Sequence, residues 1–145
     1  MTITQTIERT TLSNLVSNEE YCRKVLPFIK ADYFDVKEER VVFEEITNFV
    51  DKYKRIPTKI SLEIEVESRK DLTQDQHTKI VEIIQTLDAT DVDMEWLVDT
   101  TEKFCKDKAI YNAIVDGISI IDGKDKKRSA DAIPSILTDA LAVCF

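Results

Sequence analysis

Residues 93–121 read DMEWLVDTTEKFCKDKAIYNAIVDGISII, and apolar side chains recur in this stretch at intervals of three, four or seven residues. Such intervals place side chains along one face of an α-helix. The length of the run and its near-heptad repeat predict one arm of a helical hairpin, rather than a helix enclosed in a globule. Gly123 follows at a position where glycine commonly ends a helix.

A second apolar helix is predicted after the charged link 124–129. Pro134 suits its first turn, and the helix is expected to run from about residue 130 or 134 to 144. The two helices carry more apolar residues than they can bury on each other, so we predict an exposed surface that binds a partner. The predicted interface comprises Phe104, Tyr111, Ile114, Ile118, Ile121, Ile133, Leu137 and Leu141.

The chain as a whole is poor in the residues that make tight turns. It holds two glycines and three prolines in 145 residues, where an average composition would give roughly ten and seven. Further helices are predicted at 4–17, from the N-cap Asn18 to Pro27, at 37–54, and from the capping box Thr73–Gln76. The expected fold class is all-α, with a globular helical head at 1–92 and a long antiparallel helical hairpin at 93–145.

One segment is ambiguous. Ile60, Leu62, Ile64 and Val66 alternate with polar residues, which is typical of a half-buried strand. A single strand without a partner would leave its backbone groups unpaired, and no second alternating segment occurs. Thr58 suits the N-cap of a short helix. We therefore predict a helix at 59–68.

Residues suited to catalysis or metal binding are scarce. Two glycines cannot build a phosphate-binding loop, and the one histidine, His77, cannot supply a His-based triad or zinc site. The acidic runs lack the glycine of a calcium loop. The sequence thus predicts no catalytic residue, no metal site and no cofactor-binding site in this chain.

The net charge of −8 is concentrated in the middle of the chain. Residues 59–105 carry 12 acidic and 5 basic side chains, whereas the flanking segments are nearly balanced. A DNA-binding face needs continuous basic charge, so little direct DNA binding is expected. The short basic run at 124–128 is interpreted as a solvated loop.

Three further features bear on the cellular setting. The cysteines are odd in number and widely spaced, which favours a reduced compartment and buried free thiols. No apolar run is long enough to span a membrane, and no signal pattern opens the chain. The chain stops within an apolar stretch at Phe145, so we expect it to be a cut piece of a longer gene product.

Several short motifs, in their order and spacing, resemble the N-terminal domain of DnaB-type replicative helicases, and the T-even phage branch of that family is the closer match. The motifs are Glu8-Arg9-Thr10-Thr11-Leu12-Ser13-Asn14-Leu15-Val16, Ala31-Asp32-Tyr33-Phe34, Val42-Phe43-Glu44-Glu45-Ile46, Tyr53, Ile56-Pro57-Thr58, Trp96-Leu97-Val98, Thr101-Glu102-Lys103-Phe104, Asn112-Ala113 and Ala132-Ile133-Pro134.

This resemblance implies a collar domain whose hairpins pair between subunits of a hexamer. The implied partners are other copies of the chain, primase and a helicase loader, with no membrane contact. The implied parent is an ATP-dependent enzyme whose ATP and Mg²⁺ bind in a motor domain absent from this chain, and its implied setting is the cytoplasm of an infected bacterium. An unrelated helical adaptor, or an acidic protein that mimics DNA, is the alternative that the acidic middle region favours.

Overall fold

The structure is a computed structural model that describes the backbone of residues 3–145 and the side chains of residues 6–145. Within this range it contains α-helices and short 3-10 turns and no β-strand, which confirms the all-α prediction. The helices are α1 (Ile3–Ser17), α2 (Glu19–Val25), α3 (Lys37–Tyr53), α4 (Lys59–Glu67), α5 (Gln74–Gln85), α6 (Met94–Ile121) and α7 (Ile133–Leu141), and the 3-10 turns are Leu26–Phe28, Ala31–Tyr33 and Ala130–Ala132.

Side-chain caps fix where several helices begin. Asn18 accepts a hydrogen bond from the backbone N–H of Tyr21 at the start of α2, and Asp93 accepts one from Trp96 at the start of α6. Thr73 and Gln76 form the predicted reciprocal capping box of α5. Each cap satisfies an N–H group that has no partner within its own helix.

The ambiguous segment is helical. Thr58 and Ser61 form a capping box at the start of α4, with each side chain bonded to the other residue's backbone. Leu62 and Val66, four residues apart, are buried, whereas Ile60 is exposed. The helix prediction is confirmed. The alternating pattern arises because Ile60 and Ile64 are apolar although they lie on the exposed face of α4.

Helix ends also follow the sequence closely. α2 ends at Val25, directly before the turn that holds Pro27. α3 ends where Lys54 adopts a left-handed φ of 58°, and α6 ends shortly before Gly123, whose φ is 76°. The last helix is shorter than predicted, because α7 stops at Leu141 rather than at 144.

The head packs around one apolar core. α3, α4 and α5 pack on one another, α1 packs on α2 and α3, and the first half of α6 lies against α1 and α2. Phe49 of α3 is only partly buried, and its ring centroid lies 4.7 Å from that of Tyr53, with the two rings tilted by 45°. The predicted domain boundary between the head and the hairpin, between residues 92 and 93, stays a prediction. The largest fully buried apolar side chains are Tyr21, Phe34, Leu12, Leu15, Ile46, Leu62, Ile80, Ile84 and Leu87.

Two of the three cysteines are buried as predicted. Burial raises the pKa of the Cys105 thiol to about 12 and that of Cys22 to about 11, so neither forms a thiolate near neutral pH. Cys144 is exposed, and the expectation of burial was wrong there because α7 ends before it and its side chain lies on the outer side of the segment that follows.

Candidate protein–protein interface

The first half of α6 is an integral part of the head. The Tyr21 hydroxyl lies 2.6 Å from the Thr101 hydroxyl, and both side chains are buried. The ring of Phe104 packs edge-on against Phe34 with centroids 6.0 Å apart. These contacts fix the direction in which α6 leaves the head.

Polar contacts mark the point of exit. Lys108 is nearly buried and forms an ion pair with Asp35, and its ammonium group lies 5.5 Å from the centroid of the Tyr111 ring. Asn112 donates a hydrogen bond of 3.2 Å to the backbone carbonyl of Asp32. Beyond these contacts, α6 continues without support from the turn at Ala31–Tyr33.

Two carboxyl groups are buried beside this exit. Glu8 accepts a 3.2 Å hydrogen bond from the backbone N–H of Asp35, and burial raises the pKa of its carboxyl. Burial also raises the pKa of Glu39 to about 7, although the nearby Arg9 opposes that shift. The Arg9 Nε and Glu39 Oε2 atoms are 3.9 Å apart, and neither makes a hydrogen bond. The pKa values of both carboxyl groups are therefore raised above that of an exposed glutamate.

The second half of α6 packs on α7. Ala113, Gly117 and Ile120 are buried, and an added Cβ at Gly117 would lie 3.8 Å from the Ile133 side chain. This small residue allows the two helices to approach closely. Because α7 returns towards the head, the two helices form a short hairpin.

The last residue ties this hairpin to the head. The backbone N–H of Phe145 donates a 2.7 Å hydrogen bond to the Glu102 carboxylate, and its ring stacks on Phe28 at 4.8 Å. The return arm therefore ends against the base of α6, and only the outward face of the hairpin is left uncovered.

That outward face of α6 is apolar and exposed. Its side chains are spaced by three or four residues, which places them on one side of the helix. Ile118 is 53 % exposed and Ile121 is 73 % exposed. An apolar stripe that neither α7 nor the head covers is the signature of an interaction surface. We call it the α6 stripe: Tyr111, Ile114, Val115, Ile118 and Ile121.

The structure places the eight predicted interface residues in three environments. Tyr111, Ile114, Ile118 and Ile121 lie together on the α6 stripe. On α7, Leu141 is exposed, whereas Ile133 and Leu137 are partly buried.

Phe104 lies apart from the other predicted residues, in the core of the head. Its heptad distance from Tyr111 suggested a common face, but its half of α6 is covered by α1 and α2. Val115 belongs to the α6 stripe and was missed, although its spacing of four from Tyr111 and three from Ile118 was a sufficient signal.

The basic run at the tip of the hairpin is partly neutralised. Arg128 pairs with Asp125, its Nη2 lying 2.7 Å from the carboxylate, and with Asp116 at 3.7 Å. The guanidinium of Arg128 lowers the pKa of the Asp125 carboxyl. This local pairing agrees with the interpretation of the run as a solvated loop.

Two findings limit other kinds of site. Across the described side chains, no cluster of three or more His, Cys, Asp or Glu residues is arranged to hold a metal ion. No helix within residues 3–145 is long and apolar enough to cross a membrane.

Comparison with known proteins identifies the family to which the chain belongs. The family model of the DnaB-like helicase N terminal domain matches residues 2–95. A curated relative, the DnaB-like replicative helicase of Enterobacteria phage T4, is 29% identical over 142 residues, covering 92% of this chain and 30% of the relative. The chain thus spans about a third of the length of that relative. Since the matched residues make up more than half of the chain, the chain belongs to the family of DnaB-like helicase N-terminal domains.

Proposed function

We propose that this chain is the collar domain of a hexameric replicative DNA helicase and that it joins subunits through the α6 stripe. The observation that carries the proposal is the exposed row of Tyr111, Ile114, Val115, Ile118 and Ile121 on a helix that projects from a packed head. A second copy of the same hairpin offers a matching apolar surface, as symmetric dimers require.

The collar would also contact primase and a helicase loader, as the family resemblance implies. No residue of this chain is assigned to either contact. ATP hydrolysis and DNA unwinding would belong to a motor domain outside these residues, with ATP and Mg²⁺ as its cofactors. The expected setting is the cytoplasm of an infected bacterium. Because the chain belongs to the helicase family, an unrelated helical adaptor is set aside.

Oligomeric state after a change in the α6 stripe tests the proposal. Ile118→Asp places a carboxylate in the apolar seam between two copies, where desolvating an unpaired charge costs at least several kcal/mol. In the separate subunit Ile118 is 53 % exposed, so the new carboxylate reaches water and the head stays folded. Light scattering across a concentration series should show a fall to the mass of one chain, with helical circular dichroism retained.

Ile60→Asp is the matched control. Ile60 is 69 % exposed on α4 and lies outside the α6 stripe, so the same substitution there should leave the mass unchanged. A wild-type chain that is monomeric at hundreds of micromolar would contradict the proposal. So would an equal loss of association in both variants.

A further inference from the structure

A groove runs between α4 and α5 on the side of the head formed by the acidic middle of the sequence. Its volume is about 550 Å³. The α4 wall contributes two glutamates, and the α5 wall contributes a third glutamate together with polar and apolar side chains. The lining residues are Glu63, Glu67, Gln74, His77, Thr78, Val81 and Glu82.

An apolar ridge borders this groove. Ile60 and Ile64 are 69 % and 56 % exposed. With Glu63 and Glu67 they follow the spacing of three and four residues that defines one helix face. The opposite face of α4 packs on the head through its buried residues. The two exposed isoleucines therefore do not contribute to the packing of the head. They form an uncovered helix face beside a groove.

The groove carboxylates lack a cation. Glu63, Glu67 and Glu82 make no ion pair or side-chain hydrogen bond among the described residues. By contrast, two acids near the groove are paired, Asp75 with Lys79 at 3.3 Å and Asp71 with Arg69 at 2.7 Å. Three unpaired carboxylates that converge on one groove give it a negative field that an external cationic group would complement.

We propose that the α4–α5 groove binds a basic amphipathic helix of a partner protein. Lysine or arginine side chains of that helix would meet Glu63, Glu67 and Glu82, while its aliphatic side chains would cover Ile60 and Ile64. In helix-in-groove docking, the anchoring side chains of the partner helix recur every three or four residues. The groove residues on α4 have the same spacing. Ile60 and Glu67 are separated by about 10 Å along α4, so two to three turns of the partner suffice.

The chemistry of the groove selects this occupant over others. Nucleic acid is disfavoured because the carboxylates repel phosphates. A second copy of this chain is disfavoured because the neighbouring acidic segment would meet another acidic surface. This inference does not depend on self-association through the α6 stripe, since the groove lies on α4 and α5, so the two tests fail separately.

Binding of a synthetic peptide to the isotope-labelled chain tests the proposal. The probe is a 15-residue peptide of lysine and leucine spaced to form an amphipathic helix, and its control has the same composition shuffled so that the leucines share no face. Backbone amide shifts in NMR spectra locate the bound peptide, and fluorescence anisotropy gives the affinity. The probe should bind saturably, with shifts concentrated on α4 and α5.

Charge-matched variants separate the groove from general acidity. Glu63→Gln with Glu67→Gln should weaken binding at least roughly threefold, because two ion pairs at a partly exposed site are lost. Glu95→Gln with Asp99→Asn removes two exposed, unpaired carboxylates with the same spacing from the start of α6 and should leave the affinity unchanged. Ile60→Ser with Ile64→Ser should also weaken binding while leaving the charge as it is.

Several outcomes would overturn the proposal. Equal binding of the shuffled peptide, or equal weakening in the control pair, would reduce the effect to net charge. Shifts concentrated on the α6 stripe would place the apolar contact elsewhere. An absence of saturable binding up to millimolar peptide would show that the groove does not accept such a helix.

Discussion

The two halves of α6 carry similar apolar residues and use them differently. Up to about Ala109 the helix lies on the head, and the side chains of its inner face are covered by α1, α2 and the turn at Ala31–Tyr33. Beyond Asn112 it packs mainly on α7 and the 3-10 turn before it, and residues such as Ile118 face outward. One continuous helix thus contributes to the core with its first half and carries an exposed apolar stripe on its second half. The neighbouring structure, rather than residue type, distinguishes the two halves.

The largest expected difference between the halves is in stability. Phe104→Ala leaves a cavity against Phe34 and should lower the free energy of unfolding by about 3–5 kcal/mol. Ile114→Ala changes a side chain that is 50 % exposed and should lower it by less than about 0.5 kcal/mol in the separate subunit. Urea unfolding followed by circular dichroism, at a concentration where the chain is monomeric, measures both.

Similar losses of stability in the two variants would contradict this difference, because they would place Ile114 in the core. If Ile114→Ala lowers the stability only at high protein concentration, the loss comes from the interface between copies.

The second largest expected effect comes from a buried carboxyl group in the head. The carboxyl of Glu39 has its pKa raised by burial to about 7. The unfolded chain releases this proton near pH 4.5, so the folded state binds more protons between these two values. The free energy of unfolding should therefore fall as pH rises from about 4.5 to 7, by up to about 3 kcal/mol from this group.

Glu39→Gln should remove that pH dependence and make the chain more stable than wild type at pH 8. The check is urea unfolding at pH 5 and at pH 8, with Glu38→Gln, one residue earlier on α3 and less buried, as the control. A Glu39→Gln variant that is less stable at pH 8 would show that the attraction of Arg9 for the ionised carboxylate exceeds the cost of burying it.

The sequence specified the helices well because their ends have local causes. Asp93 and the pair Thr73–Gln76 satisfy the first N–H groups of their helices wherever the rest of the chain lies. The alternating pattern of α4 favoured a strand. A helix was predicted there because a strand would have had no partner and because Thr58 could cap a helix. The cap at Thr58, readable from the sequence, was the more reliable signal.

Burial was harder to predict, since it depends on which elements meet. Glu8 and Glu39 are buried although nothing in the sequence separates them from exposed glutamates. Phe104 and Tyr111 share a heptad register, yet the head covers only the first. The stripe of exposed residues on α6 was largely predicted, because its spacing is local, whereas the α4–α5 groove depends on how two helices pack.

The smallest expected effect concerns how closely α6 and α7 pack in the exposed half. Gly117 lies in the helix interior, and a Cβ there would make an ordinary contact of 3.8 Å with Ile133. Gly117→Ala should therefore stabilise the chain by about 0.5–1 kcal/mol, since alanine loses less backbone entropy on folding. Gly123→Ala, at a φ of 76°, should destabilise it by about 1 kcal/mol. Thermal unfolding of both variants gives the two signs. Destabilisation by Gly117→Ala would mean that the hairpin packs more tightly than this distance allows, and a higher mass for that variant would place Gly117 near the interface between copies.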